Sequence, residues 1–478
     1  MAAEAYEAVI GLEVHTHLMT SAKLFCGCST AFGAPPNNNV CPVCMAMPGV
    51  LPVLNRRAVE LAIRAGLAAH SEIAPSSIFA RKSYFYPDLP KGYQISMYEL
   101  PICKGGYIDA PVDGEMHRVR LVRIHLEEDA GKNVHEPDYS LVDFNRSGVP
   151  LMEIVSEPDI RSAAEAGGYL RELNTILRYI GASGAKMEEG AFRCDVNVSV
   201  RPRGAAELGV KTEIKNLNSF RFVEKAIDYE VRRQIEKLER GERIAQETHL
   251  WDPERQVTRP MRSKEYANDY RYFPEPDLPP ALVTPEMVEQ VRKTMPELPA
   301  ERRARYVGEL KLSPYEAEVL TAEREVAEYF EATCRGLSNR KSAANWVMTE
   351  VLRVVRESGK PISEAAPDPV ETSALLKMVE NDRVSLHAAK TAFAAMCKSG
   401  KSANSTVAEL GLAQVSDDAA IAAACDKVLA EEAARVAEYR AGRDKLFGFF
   451  VGQVMKAMGG KANPKVVNEV LKRKLQLL

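Results

Sequence analysis

The sequence predicts an α+β protein: a large mixed α/β domain with an antiparallel-rich sheet, then an all-α helical domain and an all-α tail. Three observations predict it. Up to about residue 290, short runs with two-residue alternation recur, broken by Gly and Pro. FPEPDLPPALVTPE then sets five prolines between Phe273 and Pro285, a density that breaks both helix and sheet and ends the first domain just beyond it. From there the composition shifts to Ala, Glu, Arg, Lys and Leu at helical spacing. A second change near KSGKSANST completes the expected division into 1–292, 293–405 and 406–478.

In chain order, YEAVIGLEVHTHL alternates as a strand and RRAVELAIRAGLAAH is helical. HRVRLVRIHL, YSLVDFN and AFRCDVNVSV are further strands. The longest helix is FRFVEKAIDYEVRRQIEKLERG. Asn218 or Ser219 caps its start, and Gly241 falls where a left-handed residue closes a helix. FGFFVGQVMKAMGGKANPKVVNEVLKRKL reads as helix, Gly-rich turn, helix.

Bulk properties narrow the function classes. With a net charge of −3 the whole chain is no general polyanion binder, although a local basic region is compatible with it. The N-terminus lacks a basic n-region and no apolar run approaches about 18 residues, so neither a signal peptide nor a membrane span is expected and the chain reads as cytoplasmic. Four of the nine cysteines crowd together: Cys26-x-Cys28, twelve residues, then Cys41-x-x-Cys44. Two thiolate pairs at that spacing close a tetrahedral structural zinc site with no position left open for catalysis. The loop between them, STAFGAPPNNNV, has little core of its own, so the insert 26–44 draws its order from the metal.

Two strands carry polar groups opposite an apolar face. Ala8, Ile10, Leu12, Val14 and Leu18 share one side, while Glu13, His15 and His17 share the other. Phe192, Cys194, Val196, Val198 and Val200 likewise alternate with Arg193, Asp195, Asn197, Ser199 and Arg201. Alternation alone also describes a solvated outer face. Acidic clusters shift the balance: HLEEDAGKN holds Glu127, Glu128 and Asp129, and LMEIVSEPD sets Glu153 between Met152 and Ile154, where an unpaired carboxylate is costly. Carboxylates with an imidazole suit Mg²⁺ or Mn²⁺ and the phosphates such ions accompany. Neither a P-loop nor a G-x-G-x-x-G occurs, so an ATP site is of another type. Lys82, Lys91, Lys211 and Lys215 are candidates to touch phosphates, although each taken alone also reads as a surface lysine.

The C-terminal stretch from Tyr439 holds nine Lys or Arg against two acids, a local surplus of seven. Arg440, Arg443, Lys445, Lys456, Lys461 and Lys465 fit the footprint of a surface that contacts a phosphate backbone, with Phe447, Phe449 and Phe450 among them.

VIGLEVHTHL, FGAPPN, PGVLPVLN, RKSYFYPDLPKGYQIS, RIHLEEDAGK, GVPLMEIVSEPD, KMEEGAFRCDVNVSVRP, EIKNLNSFR, DYRYFPEPDLPP and FFVGQVMKAMGGKANP together resemble the B subunits of glutamyl/aspartyl-tRNA amidotransferases, nearly end to end. The resemblance implies a catalytic "cradle" domain, a helical domain and a tRNA-binding tail. It implies a heterotrimer whose other members are an amidase (the A subunit) and a small C subunit. It implies a ligase that uses ATP and Mg²⁺ to activate Glu-tRNA(Gln) or Asp-tRNA(Asn), with Zn²⁺ as a structural ion. By motif, Glu13, His15, Glu128, Glu153 and Asp195 resemble the family's magnesium ligands, with Glu128, His15 and Glu153 as the catalytic set. Which of Glu127 and Glu128 faces the metal is not fixed by the motif. The competing reading is a non-catalytic, zinc-containing scaffold that binds tRNA.

Overall fold

The computed structural model describes residues 5–261, 269–414, 417–459 and 461–477. The chain divides into two compact units, Met1–Pro299 and Ala300–Leu478.

In the first unit the order is β1 (Tyr6–His17), α1 (Arg56–Ala68), β2 (Glu72–Ile73), β3 (Ser76–Ser83), β4 (Tyr93–Leu100), β5 (Cys103–Lys104) and β6 (Tyr107–Val112). It continues through β7 (Glu115–Glu128), β8 (Lys132–His135), β9 (Ser140–Asp143), β10 (Pro150–Ser156), α2 (Ala163–Tyr179), β11 (Phe192–Pro202) and β12 (Thr212–Lys215). Then follow α3 (Phe220–Glu239), β13 (Glu247–Asp252), β14 (Val257–Pro260), β15 (Phe273–Pro274), β16 (Ala281–Leu282) and α4 (Pro285–Lys293). One large mixed sheet runs β14-β13-β12-β11-β1-β10-β7-β4-β3-β15. Its pairings along this path are antiparallel except β12 with β13, which is parallel.

Helices α1, α2 and α3 cover one side of this unit, α1 against β7, α2 against β6 and α3 against β11. Their caps follow from sequence: the side chains of Asn55, Ser162 and Ser219 accept from the amides of Arg57, Glu165 and Phe222. Gly241, at φ +75°, follows the last turn of α3 as a left-handed residue. Ile10, Leu12, Val14, Ile124, Leu126, Met152, Ile154, Val196 and Val198 join the helices in one core. Because strand side chains alternate, the residues between them point to the other side, and that is where the charged groups gather.

The proline-rich segment departs from expectation. It contributes two short strands, with Phe273 and Pro274 opposite Arg81 and Ala80, and Ala281 and Leu282 opposite Ser77 and Ser76. β15 ends the sheet path, and an end strand tolerates a residue without an N–H.

Every element assigned from Pro299 onward is helical. Two separate cores form there: one around Tyr306, Phe330, Trp346 and Phe393, the other around Cys425, Phe450, Val467 and Leu471. No helix among the described residues is long and apolar enough to cross a membrane.

Candidate functional site

The centre of the sheet aligns three side chains in one row. His15 on β1 is opposite Glu153 on β10, and Glu153 is opposite His125 on β7. Glu127, two residues along β7 from His125, joins them. His15 Nε2 lies 3.3 Å from Glu153 Oε2 and 3.8 Å from Glu127 Oε1. Single donor atoms of His15, Glu127 and Glu153 all fall within 4.8 Å of one another, as a common ion requires. Burial disfavours charge on both His15 and Glu153, yet each outweighs it in the other. The carboxylates of Glu153 and Glu127 raise the His15 pKa, while His125, His15 and Arg123 hold the Glu153 carboxyl well below the usual range.

Glu128 stands elsewhere. It pairs with Lys91 and accepts from the Ile95 amide at 3.0 Å, in a cavity that also contains Lys23 and Cys44. The acid that meets His15 and Glu153 is therefore Glu127, and the expectation that Glu128 belongs with them is corrected. Both residues belong to β7, which ends at Glu128.

Glu13 and Asp195 are opposite one another across β1 and β11. Glu13 accepts from Asn197 Nδ2 at 3.0 Å, and burial together with Glu153, Glu213 and Asp195 raises its pKa. Asp195 pairs with Lys215, which also reaches Glu213 at 3.0 Å. A cavity of about 290 Å³ adjoins this group, lined by Gly11, Glu13, Ser156, Asn197, Gly209 and Lys211 among others. Of the lysines selected from sequence, Lys211 lines this cavity, Lys215 is tied to the acids, Lys91 to Glu128, and Lys82 lies 5.0 Å over the Tyr270 ring. Beyond His15, His17 and Arg193 converge on the buried Asp129, at 2.6 and 3.0 Å.

The thiols of Cys26, Cys28, Cys41 and Cys44 come together within 4.8 Å and could hold a metal such as zinc. Cys44 and Cys41 sulfurs are 3.9 Å apart, close to the roughly 3.8 Å edge of a tetrahedron with about 2.3 Å metal–sulfur bonds. Lys23, 1% exposed, sends its ammonium to Cys44 Sγ at 3.5 Å and the Phe144 carbonyl at 3.1 Å. A hydrogen bond from Cys26 lowers the Cys44 pKa to about 4, with Lys23 adding to it against burial.

In the tail, Arg440, Arg443, Lys445, Lys456, Lys461 and Lys465 are all exposed. The phenylalanines are not interleaved with them on the surface: Phe450 is fully buried and Phe447 and Phe449 pack against the same core.

Comparison with known proteins places this arrangement. Residues 8–289 match the family described as the GatB/GatE catalytic domain, and residues 328–475 match the GatB domain. The chain belongs to the GatB/GatE family. It is 58% identical to a Geotalea daltonii protein, over 98% of this chain and 99% of that one. It is 55% identical to one from Thermodesulfovibrio yellowstonii, over 98% of each, and 56% identical to one from Geobacter sulfurreducens, over 98% and 99%. Each of the three is named as the B subunit of an aspartyl/glutamyl-tRNA(Asn/Gln) amidotransferase. Within this family member, sequence reasoning passed over His125, Arg123 and Lys23. The alternation of Arg123, His125 and Glu127 was the available signal for the first two.

Proposed function

We propose that this chain is the activating subunit of a tRNA-dependent amidotransferase. Its substrate is Glu-tRNA(Gln) or Asp-tRNA(Asn), whose side-chain carboxylate becomes an amide. A carboxylate is a poor electrophile because oxide would have to leave. Transfer of the γ-phosphoryl group of ATP to a carboxylate oxygen gives an acyl phosphate and ADP. Ammonia then attacks the carbonyl carbon, the C–N bond forms, and phosphate leaves. A separate amidase supplies the ammonia from glutamine or asparagine, and a small third protein completes the heterotrimer in the cytoplasm.

The observation that carries this reading is the row of His15, Glu127 and Glu153 beside a cavity shared by Glu13, Asn197 and Lys211. His15, Glu127 and Glu153 would hold a divalent ion, which would supply charge neutralisation for the nucleotide phosphates. Glu13 and Asp195 extend the acidic surface toward the cavity, and Asn197 and Lys215 fix those carboxylates by direct contact. Lys211 offers its ammonium to a phosphate at the cavity rim. Positioning and electrostatics do the chemistry here, and no covalent protein nucleophile takes part.

The four cysteines hold a structural zinc, the basic residues of the tail contact the tRNA backbone, and the chain works as catalytic domain 1–292, helical domain 293–405 and tail 406–478. The test uses the assembled complex with mischarged tRNA, ATP, Mg²⁺ and an ammonium salt in place of glutamine, which bypasses the amidase. Amide formation that disappears in Glu127→Gln is expected. A variant with near wild-type amidation moves activation to a partner and leaves this chain as a tRNA-binding scaffold.

A further inference from the structure

The charged row has a cationic end. Arg193 on β11 is directly opposite His15 on β1, so the facing residues run Arg193, His15, Glu153, His125 across four strands. Side chains opposite one another on antiparallel strands share a face, with Cβ atoms about 4.5–5.5 Å apart. The guanidinium therefore stands next to the candidate metal ligands without being one of them. From Nη2 it donates to Asp129 Oδ2 at 3.0 Å, its one hydrogen bond among the described residues. Nε is buried without a partner, Nη1 is unengaged, and the side chain is 38% exposed.

Asp129 does not use up this charge. Its Oδ2 meets His17 Nε2 at 2.6 Å, Arg193 Nη2 at 3.0 Å and Arg146 Nε at 3.4 Å. Its Oδ1 accepts from the Ala130 amide at 2.9 Å. Two guanidiniums thus share one buried carboxylate, which leaves positive charge in surplus. Arg146 is further committed to the carbonyls of Ala130 and Gly131, at 3.1 and 2.6 Å, so Arg193 is the one with an edge to offer. Glu127 and Asp195 act on it through space and make no ion pair with it among the described residues. A guanidinium anchored on one side and open on the other is a preformed fork for a planar anion.

Resting on the tRNA-dependent amidation proposed above, we infer that Arg193 binds the side-chain carboxylate of the glutamyl or aspartyl group and sets it beside His15. Its position separates this ligand from the nucleotide. The cavity with Gly11, Asn197 and Lys211 extends along β1 and β11 from Glu13, away from Arg193, which does not line it. The two reactants thus reach the row from opposite ends, the phosphates past Asn197 and the carboxylate past Arg193. The same fork separates substrate from product. The amide that forms carries no charge and turns N–H groups toward a guanidinium that has donors alone.

The test measures binding to the assembled complex, without ATP, of tRNA carrying glutamate or glutamine through a hydrolysis-stable amide link. The unaltered complex is expected to bind the glutamyl form at least about tenfold more tightly than the glutaminyl form, and Arg193→Gln to bring the two within about twofold. Arg193→Lys keeps the charge and loses the fork, so an intermediate ratio is expected. Affinity for ATP, measured separately, is expected to stay within about twofold in both variants. A ratio near one in the unaltered complex, or a ratio undiminished in Arg193→Gln, overturns the inference and leaves the amidation reading standing. A loss confined to ATP affinity assigns the guanidinium to a phosphate and overturns it equally. Failure of the unaltered complex to bind either tRNA overturns the amidation reading as well. Should Arg193→Gln not fold, Arg193→Lys decides, and an unchanged ratio there overturns the inference.

Discussion

Glu127 and Glu128 are consecutive residues of β7 and leave it on opposite faces of the sheet. Glu127 meets His15 and Glu153, whereas Glu128 pairs with Lys91 beside the cysteine cluster, and each is 3% exposed. Two buried acids of the same type thus serve different environments, and the two substitutions separate them. Glu127→Gln removes a charged donor from the row and is expected to weaken Mn²⁺ binding by at least about tenfold. Glu128→Gln leaves that affinity within about twofold, because its carboxylate contributes nothing to the row. Titration of Mn²⁺ into each full-length variant measures the difference. Equal losses would contradict the assignment of faces.

The sequence could not settle which acid faces the row, and the reason lies in β7. Val119 and Leu121 belong to the hydrophobic core, Val122 is exposed, and Ile124 and Leu126 belong to the core again. The register with β10 shifts at the same place, between the pairs Val155–Arg123 and Ser156–Leu121. A bulge at Val122 inverts the alternation. Read forward from Val119 and Leu121, the pattern sends Glu128 outward and Glu127 into the core, the reverse of what is found. β1 and β11 carry no such break, so Glu13, His15, Asp195 and the core residues between them were legible from period alone. The cysteine cluster was legible from spacing. The partnership of Lys23 with Cys44 joins a buried ammonium to a loop thiol, and no local pattern announces it.

That partnership predicts unequal cysteines. Replacing any of the four is expected to release the zinc, reducing it from about one ion per chain to none by elemental analysis. Cys44→Ala also removes a partner of the buried Lys23 ammonium, whereas Cys28→Ala does not. An additional loss of about 1–3 kcal/mol is expected for Cys44→Ala, the cost of a buried donor deprived of its acceptor. Denaturant unfolding of both zinc-free variants measures it. Identical midpoints would show that Lys23 is held by the Phe144 carbonyl alone.

Stability should depend on pH through Glu230. This fully buried residue of α3 accepts from Arg233 at 2.6 Å and from Thr258 of β14 at 3.0 Å, tying helix to sheet. Burial opposes its charge, but the bonds from Arg233, Gln234 and Thr258 prevail and lower its pKa. A carboxyl lowered on folding stabilises above its unfolded value of about 4.3 and loses that contribution as pH falls through the folded one. Glu230→Ala is therefore expected to cost about 2–3 kcal/mol at pH 7, and less below about pH 4. Denaturant midpoints of both proteins across that range test it. A gap that widens on acidification would reverse the sign.

The tail makes a prediction in which affinity and chemistry part. Lys456 and Lys461 are exposed and make no ion pair among the described residues, whereas Lys465 pairs with Asp382 at 2.6 Å and Arg443 with Glu438 at 2.7 Å. Free ammonium groups are the ones available to phosphates, and each phosphate neutralised releases about one counterion. Lys456→Glu combined with Lys461→Glu is expected to weaken tRNA binding at least about tenfold and to reduce the slope of log affinity against log salt by about 1–2. With ammonium as the nitrogen source, KM for the charged tRNA should rise while kcat stays near the unaltered value, because the proposed chemistry is carried by side chains of the first unit. Surface substitutions of this kind leave stability within about 0.5 kcal/mol, so a lost affinity is attributable to charge. An unchanged salt slope would mean that the phosphates are met by other residues, and that the basic surplus of the tail is a solvated helix surface.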